Sequence, residues 1–212
     1  KNIKIFNKKL DSNVGIFKTN IPWVFHKRIK EDSSITIGYM GDARESRGFN
    51  LLPDLINRLS DKNKNLNFLI QFAKTSTKST IITSNKLFMM AENNPKIKIL
   101  KTYLDYADFR NTLQKIDIMP ILHNNEEVNN GNPSTIYSSI THEIPMILPQ
   151  KLNYMREIMV HKSFEIADTL DDVVSKTLMI ANDYNKYLDA AKINSKVLSN
   201  VFNNDPLKKN IK

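Results

Sequence analysis

The apolar residues of the chain follow two spacings, one typical of strands and one typical of helices. Ile35, Ile37 and Tyr39 alternate with smaller residues, as in a buried strand. A polar turn follows from Gly41 to Gly48. After it the apolar positions recur at helical intervals, namely Phe49, Leu52, Leu55, Ile56 and Leu59. The pattern therefore predicts a strand, a turn and a helix over residues 35–60.

The same alternation continues to the end of the chain. Further strands are predicted at 66–72, 96–101, 117–122, 145–148 and 164–167. Helices are predicted at 80–92, 103–116, 134–143 and 152–160, with two more within 170–202. Strands that alternate with helices predict an α/β fold, a doubly wound parallel sheet of five or six strands with helices on both faces. Ligands bind such sheets at the carboxyl ends of the strands.

The turn from Gly41 to Gly48 is the first candidate site, because it joins a strand to a helix and carries Arg44 and Arg47. Exposed backbone N–H groups and a helix N-terminus at such a turn favour an anion. Two guanidinium groups add positive charge, and each can form a bidentate pair of hydrogen bonds with phosphate oxygens. The alternative interpretation is a solvated loop whose arginines pair with Asp42 and Glu45.

The second candidate site is the polar stretch from His123 to Pro145. His123 ends a predicted strand at the expected ligand edge. Ser134 and Thr135 begin a predicted helix, and a helix start with hydroxyl groups is suited to a phosphate or a sugar hydroxyl. Glu126 and Glu127 lie in the same loop, where they either approach a ligand or are simply solvated.

Composition narrows the function classes. The chain has 212 residues, no cysteine and a formal net charge of +9. It contains no apolar run of about 18 residues, so no membrane-spanning helix is predicted. The positive charge is compatible with a phosphorylated ligand, nucleic acid or anionic lipid as a partner. The alternative explanation is a compositional bias towards lysine, asparagine and isoleucine. No two histidines are spaced as metal ligands, and no phosphate-binding P-loop or dinucleotide motif occurs, so neither metal nor cofactor is expected.

The first turn resembles the opening of the C-terminal, donor-binding domain of GT-B glycosyltransferases of the group 1 type. That family has a strand, a glycine, Arg-x-x-Lys-Gly and a leucine-rich helix. The matching residues here are Gly41, Arg44, Arg47, Gly48, Leu51 and Leu52, with arginine where lysine is usual. The resemblance implies the Rossmann-like half of a GT-B fold, in which the two basic residues hold the diphosphate of a nucleotide-sugar.

The second stretch continues the resemblance with two departures. The family has a strand, a polar loop, a helix, then Gly-x-Pro and a strand, and it often has two glutamates before that proline. The corresponding positions here are Asn130 and Ser138, and Glu143 replaces the glycine. Some branches of the family use a small polar helix start instead, which Asn132, Ser134 and Thr135 resemble. The resemblance therefore implies that these three residues contact the donor.

The resemblance covers roughly residues 35–190, the expected donor-binding domain. Residues 1–34 are expected to be a connector or the remnant of a preceding domain, and 191–212 a C-terminal helix and tail. A GT-B enzyme also needs an acceptor-binding N-terminal domain, and residues 1–34 are too short to form one. The chain is therefore expected to be one half of a catalytic unit.

The function that the resemblance implies is transfer of a sugar from a nucleotide-diphosphate sugar to an unknown acceptor, in glycan or surface polysaccharide synthesis. A cytoplasmic location is expected, with peripheral membrane contact left open, and no nucleic-acid partner is expected. Two alternatives stay open. One is a non-catalytic α/β module derived from a transferase, and the other is a basic domain that binds anions, nucleic acid or a membrane surface.

Overall fold

The computed structural model describes residues 34–124, 134–152 and 159–203, with backbone alone for 201–203. The strands in these ranges are β1 (Ile35–Met40), β2 (Leu66–Phe72), β3 (Ile97–Lys101), β4 (Met119–Pro120), β5 (Met146–Leu148) and β6 (Phe164–Ile166). The helices are α1 (Leu52–Lys62), α2 (Lys78–Asn93), α3 (Tyr106–Leu113), α4 (Ser134–Thr141), α5 (Leu170–Asn182) and α6 (Tyr184–Asn203). Two short 3-10 turns, Glu45–Arg47 and Phe49–Leu51, precede α1.

All the strand pairs are parallel. They form two three-stranded sheets, β1-β2-β3 and β4-β5-β6. Backbone hydrogen bonds join β1 to the start of β4, from Gly38 N to Ile118 O at 2.9 Å and from Asp117 N to Thr36 O at 2.8 Å. The strands therefore lie in the order 3-2-1-4-5-6, which is that of a Rossmann-type fold. The predicted parallel α/β sheet is confirmed.

Each face of the sheet has its own apolar core, because side chains alternate along a strand. On one face Ile37 and Phe68 belong to a core that includes residues of α1, α2, α5 and α6. On the other face Met40 and Leu69 belong to a core that includes Leu113 and residues of α4. Helices on both faces make the sheet doubly wound, as predicted.

Several observed elements differ in extent from the predicted ones. The helix predicted at 103–116 is shorter, because Asp105 caps it by accepting a hydrogen bond from Asp108 N at 2.8 Å. The strand predicted at 117–122 pairs with β5 over Met119 and Pro120 alone. Most of the helix predicted at 152–160 lies outside the described residues, and Met159 and Val160 are not helical.

Of the terminal segments in the predicted domain scheme, residues 1–33 and 204–212 lie outside the described ranges. Helix α6 runs continuously through residue 190. Glu143, which stands where the family has glycine, has a φ of +57°, a left-handed value that ordinary residues seldom adopt. Among the helices of the described ranges, none combines the length and the apolar character that crossing a membrane requires.

Gly48 sets the contact between the turn after β1 and the segment after β4. Its φ is +71°, and a Cβ built on it would lie 2.4 Å from the Cβ of Leu122. Both the left-handed backbone and the close approach therefore require glycine at this position. The Cβ of any other residue would push the two segments apart.

Gly48→Ala is expected to lower the free energy of unfolding by about 2–4 kcal/mol, since it combines a left-handed strain with a steric clash. Chemical denaturation measures this loss. Asn50→Ala, an exposed change on the adjacent 3-10 turn, is the control and should stay within about 0.5 kcal/mol of the parent. Equal stability of Gly48→Ala and the parent would contradict the close contact with Leu122.

A buried carboxylate on β6 accepts a hydrogen bond from a side chain of α6. Glu165 is 5% exposed and accepts hydrogen bonds from the Tyr187 hydroxyl and from Lys162 Nζ, the latter at 2.8 Å. Lys176 Nζ lies 3.9 Å from its other oxygen. Burial opposes ionisation, but these hydrogen bonds and the two lysine charges outweigh it, so the pKa of Glu165 lies below its ordinary value.

Tyr187→Phe is expected to destabilise the fold by about 1.5–3 kcal/mol at pH 7, because an ionised buried group loses a hydrogen bond. A carboxyl whose pKa is lowered by folding contributes stability above its unfolded pKa of about 4.3, and that contribution is lost as the pH falls through the folded value. The gap between variant and parent in chemical denaturation should therefore shrink below about pH 4. Tyr103→Phe, at an exposed tyrosine, is the control. If Tyr187→Phe is as stable as the parent at pH 7, the hydrogen bond from Tyr187 to Glu165 does not stabilise the fold and the prediction is wrong.

Candidate functional site

The strand order places a crevice between β1 and β4. The chain winds outwards from β1 through β2 to β3, and it then winds in the opposite direction from β4 through β5 to β6. Ligands of open α/β sheets bind at such a reversal, outside the carboxyl ends of the strands. The segments at this position are the turn Gly41–Gly48, called the basic turn below, and the residues that follow β4.

The basic turn closes on itself through its own backbone. Tyr39 donates its hydroxyl to Asp42 O at 2.9 Å, and Arg44 N donates to the same oxygen at 2.9 Å. The N–H groups of Arg47, Gly48, Phe49 and Leu51 also donate to carbonyls within the turn and the 3-10 turn that follows it. The expectation that this turn offers its backbone N–H groups to an anion is therefore wrong for these residues. The arginine side chains are further donors of the turn.

Both arginines of the basic turn are directed at Asp42. Arg44 Nη2 lies 3.0 Å from Asp42 Oδ2, and Arg47 Nη1 lies 3.8 Å from the same oxygen. The Arg44 side chain is 56% exposed and that of Arg47 is 28% exposed. The alternative pairing predicted from the sequence is thus correct for Asp42. Glu45 Oε1 instead accepts from the Thr77 hydroxyl at 3.4 Å.

Gly41 lies next to one of these guanidinium groups and has a positive φ that favours glycine. Its φ is +139°, and a Cβ built on it would lie 3.4 Å from Arg47 Nη1. The Arg47 guanidinium therefore lies over the end of β1. Gly41 N also donates to the backbone oxygen and the side-chain oxygen of Gln71, both at 3.2 Å.

Gln71 is a positioning residue that the sequence analysis missed. Its side chain is buried in β2, and its Nε2 donates to Thr102 O at 2.8 Å. It thereby joins the carboxyl ends of β1, β2 and β3. The available signal was an amide near the carboxyl end of a mostly apolar strand, since a buried polar side chain needs partners.

The structure brings His123 to the basic turn. The preceding residue, Leu122, is the one that approaches Gly48, and the following residue, Asn124, donates its N–H to Ser46 O at 2.8 Å. His123 itself is half-buried. The segment after β4 and the basic turn are therefore in direct contact at the reversal of the strand order.

Ser134 and Thr135 are the first two residues of α4. Ser134 is exposed, and Thr135 O accepts the Ser139 hydroxyl at 2.8 Å within the helix. Because α4 connects β4 to the parallel strand β5, its first residues belong to the carboxyl edge of the sheet, as the basic turn does. Asn132, Glu126 and Glu127 lie outside the described residues.

Other polar groups of the described residues serve the fold. Thr77 and Thr80 form a reciprocal cap at the start of α2, with N–H to hydroxyl distances of 3.1 and 3.2 Å. His142 is buried and its Nδ1 lies 2.8 Å from Ser138 O. Over the described ranges, no three histidine, aspartate or glutamate side chains are grouped as metal ligands would be.

Comparison with known proteins finds similarity in structure alone. No protein-family model matches the sequence, and no curated protein matches it. The structure is similar to the C-terminal domain of a glycosyl transferase group 1 family protein, LpcC, from Francisella tularensis. The TM-score is 0.64 at 11% identity, over 79% of this chain and 86% of that domain.

Two longer proteins also contain this fold. A UDP-forming α,α-trehalose-phosphate synthase from Burkholderia xenovorans matches with a TM-score of 0.59 at 9% identity, over 79% of this chain. A structure from Listeria monocytogenes, assigned as a UDP-N-acetylglucosamine 2-epimerase, matches with a TM-score of 0.55 at 10% identity, over 80% of this chain. The chain spans 40% and 44% of their lengths. The described part of the chain therefore has the Rossmann-like fold of the C-terminal domain of GT-B glycosyltransferases.

Proposed function

We propose that this chain is the donor-binding domain of a glycosyltransferase and that its basic turn holds the diphosphate of a nucleotide-diphosphate sugar. The observation that carries the proposal is the pair Arg44 and Arg47, which lies where the strand order of the sheet reverses. Two guanidinium groups at such a crevice are suited to a diphosphate, because each can donate two parallel hydrogen bonds.

The remaining site residues complete the proposed binding mode. The Arg47 guanidinium lies beside Gly41 at the end of β1, and the hydroxyls of Ser134 and Thr135 at the start of α4 approach the phosphates from the β4 side. His123, next to the basic turn, is a proposed contact for the sugar or its phosphate. Asn132 is proposed to act with Ser134, and Glu126 and Glu127 remain proposed contacts of the donor sugar.

In this proposal the acceptor is bound outside the domain. The chain spans less than half the length of the two longer proteins with this fold. We propose that an acceptor-binding domain, in the same longer protein or in a partner, faces the carboxyl edge of the sheet. The chemistry at the anomeric carbon then takes place between the two domains, while this domain orients the donor and stabilises the leaving diphosphate.

A second function is favoured by one departure from the family. Ser138, half-buried in α4, stands at a position where the family often has a glutamate, so no carboxylate is supplied there. A module that binds a nucleotide without transferring sugar would suit this substitution. Both functions use the diphosphate site, so a binding measurement does not distinguish them. An assay of sugar transfer with the acceptor domain present does.

Arg44→Ala is expected to weaken the binding of UDP, ADP or GDP, whichever binds best, by about 10- to 100-fold. The basis is the loss of charge-assisted hydrogen bonds of about 1.5–3 kcal/mol. Arg47→Ala should give a similar loss, and Arg47→Lys a smaller one, because it keeps the charge. Isothermal titration calorimetry at fixed ionic strength measures each affinity, with thermal melting to verify that the half-buried Arg47 variants are folded.

Arg58→Ala is the matched control, because Arg58 also pairs with nearby acids, Asp54 and Asp171, but lies on α1 away from the strand ends. Its affinity for the nucleotide should equal that of the parent. The proposal fails if the double variant at Arg44 and Arg47 binds as tightly as the parent. Binding that ignores the nucleotide and falls steeply with salt would favour a general polyanion-binding domain.

A further inference from the structure

The basic turn carries no net charge, although it contains the proposed phosphate-binding arginines. Its eight residues include Arg44 and Arg47 but also Asp42 and Glu45, so the formal charges cancel. In a turn with this composition the two carboxylates offset the attraction of the guanidinium groups for an anion. The positions of the two carboxylates therefore bear on how the turn behaves towards a phosphate.

Only one of the two carboxylates is directed at the arginines. Asp42 Oδ2 lies 3.0 Å from Arg44 Nη2 and 3.8 Å from Arg47 Nη1. The same oxygen thus lies within hydrogen-bond distance of Arg44 and within ion-pair distance of Arg47. Glu45 is directed instead towards the hydroxyl of Thr77, at 3.4 Å.

We propose that Asp42 is an internal counterion that occupies the arginine pair in the absence of ligand, so that a diphosphate binds by displacing its carboxylate. The inference rests on the proposed function, since it concerns the same arginines. It assigns a role to Asp42 that the binding mode itself does not need. In this role Asp42 lowers the affinity of the site for every phosphate ligand.

The geometry allows the carboxylate to leave while the turn stays intact. The backbone oxygen of Asp42 is held by the Tyr39 hydroxyl and by Arg44 N, both at 2.9 Å. The side chain is 43% exposed, so rotation about its side-chain bonds carries the carboxylate into water. The fixed backbone then keeps the arginines at the strand end while their counterion changes.

Asp42 has a competing role to consider, which is to hold the arginines in place for the ligand. An exposed ion pair contributes little to the order of its side chains, because water screens it and the side chains lose entropy in forming it. The Arg44 side chain is 56% exposed, so the pair with Asp42 is of this weak kind. A carboxylate beside the phosphate opposes binding directly, and this repulsion outweighs the small gain in order.

The test is the affinity of Asp42→Asn for inorganic pyrophosphate and for UDP, measured by isothermal titration calorimetry at one ionic strength. We expect affinity to rise about tenfold for both probes, since the asparagine keeps the size of the side chain but not its charge. Glu45→Gln is the matched control, because it removes one negative charge from the same turn without touching the arginine pair. Its affinity should change by less than about twofold.

The outcomes separate this inference from the proposed function. If the parent binds both probes and Asp42→Asn binds them equally or more weakly, the counterion role is refuted and the donor site stands. If Glu45→Gln gains as much as Asp42→Asn, the effect is general electrostatics and the specific role is again refuted. If Asp42→Asn binds and the parent does not, the counterion role is supported in its strongest form. If neither protein binds either probe, both the inference and the proposed function fail.

Discussion

The hydrogen bonds between β1 and the start of β4 are the constraint on which the rest of the structure depends. Asp117 and Ile118 pair with Thr36 and Gly38, and the Asp117 carboxylate also accepts from Thr36 N at 2.8 Å. Without these bonds the two three-stranded sheets would not adjoin, and the strand order would have no reversal. Gly38 is part of the same constraint, because a Cβ there would lie 2.5 Å from the side chain of Ile116. The crevice thus follows from backbone pairing and one missing side chain.

The sequence predicts the β1–β2–β3 half of the sheet better than the β4–β6 half. The β2 strand was predicted with its observed ends, because seven residues of mostly apolar type are bounded by polar turns. The β4 strand is harder to predict, since Pro120 has no N–H to donate and the pairing is divided between two neighbours. The helix after β3 is shorter than the prediction, because the spacing of apolar residues does not show that Asp105 caps the helix. Local hydrogen-bond chemistry, rather than hydrophobic pattern, decides these boundaries.

In the candidate site, too, residue types could be predicted from the sequence but hydrogen bonds could not. That Arg44 and Arg47 flank a strand end could be predicted from residue types and spacing. The hydrogen bonds of the turn could not, because they depend on the backbone angles that Gly41 and Gly48 adopt. The link through Gln71 joins three strands that are distant in sequence, so only the folded sheet reveals it. The left-handed Glu143 was visible as a departure at a glycine position, but its conformation was not.

Charge acts at two distances in this protein, and the two effects differ. The net charge of +9 gives the whole molecule a field that draws anions towards its surface without selecting among them. The basic turn, whose formal charges cancel, does not add to that field at long range. In the proposed binding mode its arginines act at contact distance, where a phosphate competes with Asp42 for the same two guanidinium groups. A diphosphate that reaches both arginines replaces both contacts of Asp42, whereas an anion that reaches only one arginine leaves the other paired with Asp42. Selection at the site then depends on geometry, and attraction to it depends on the charge of the whole chain.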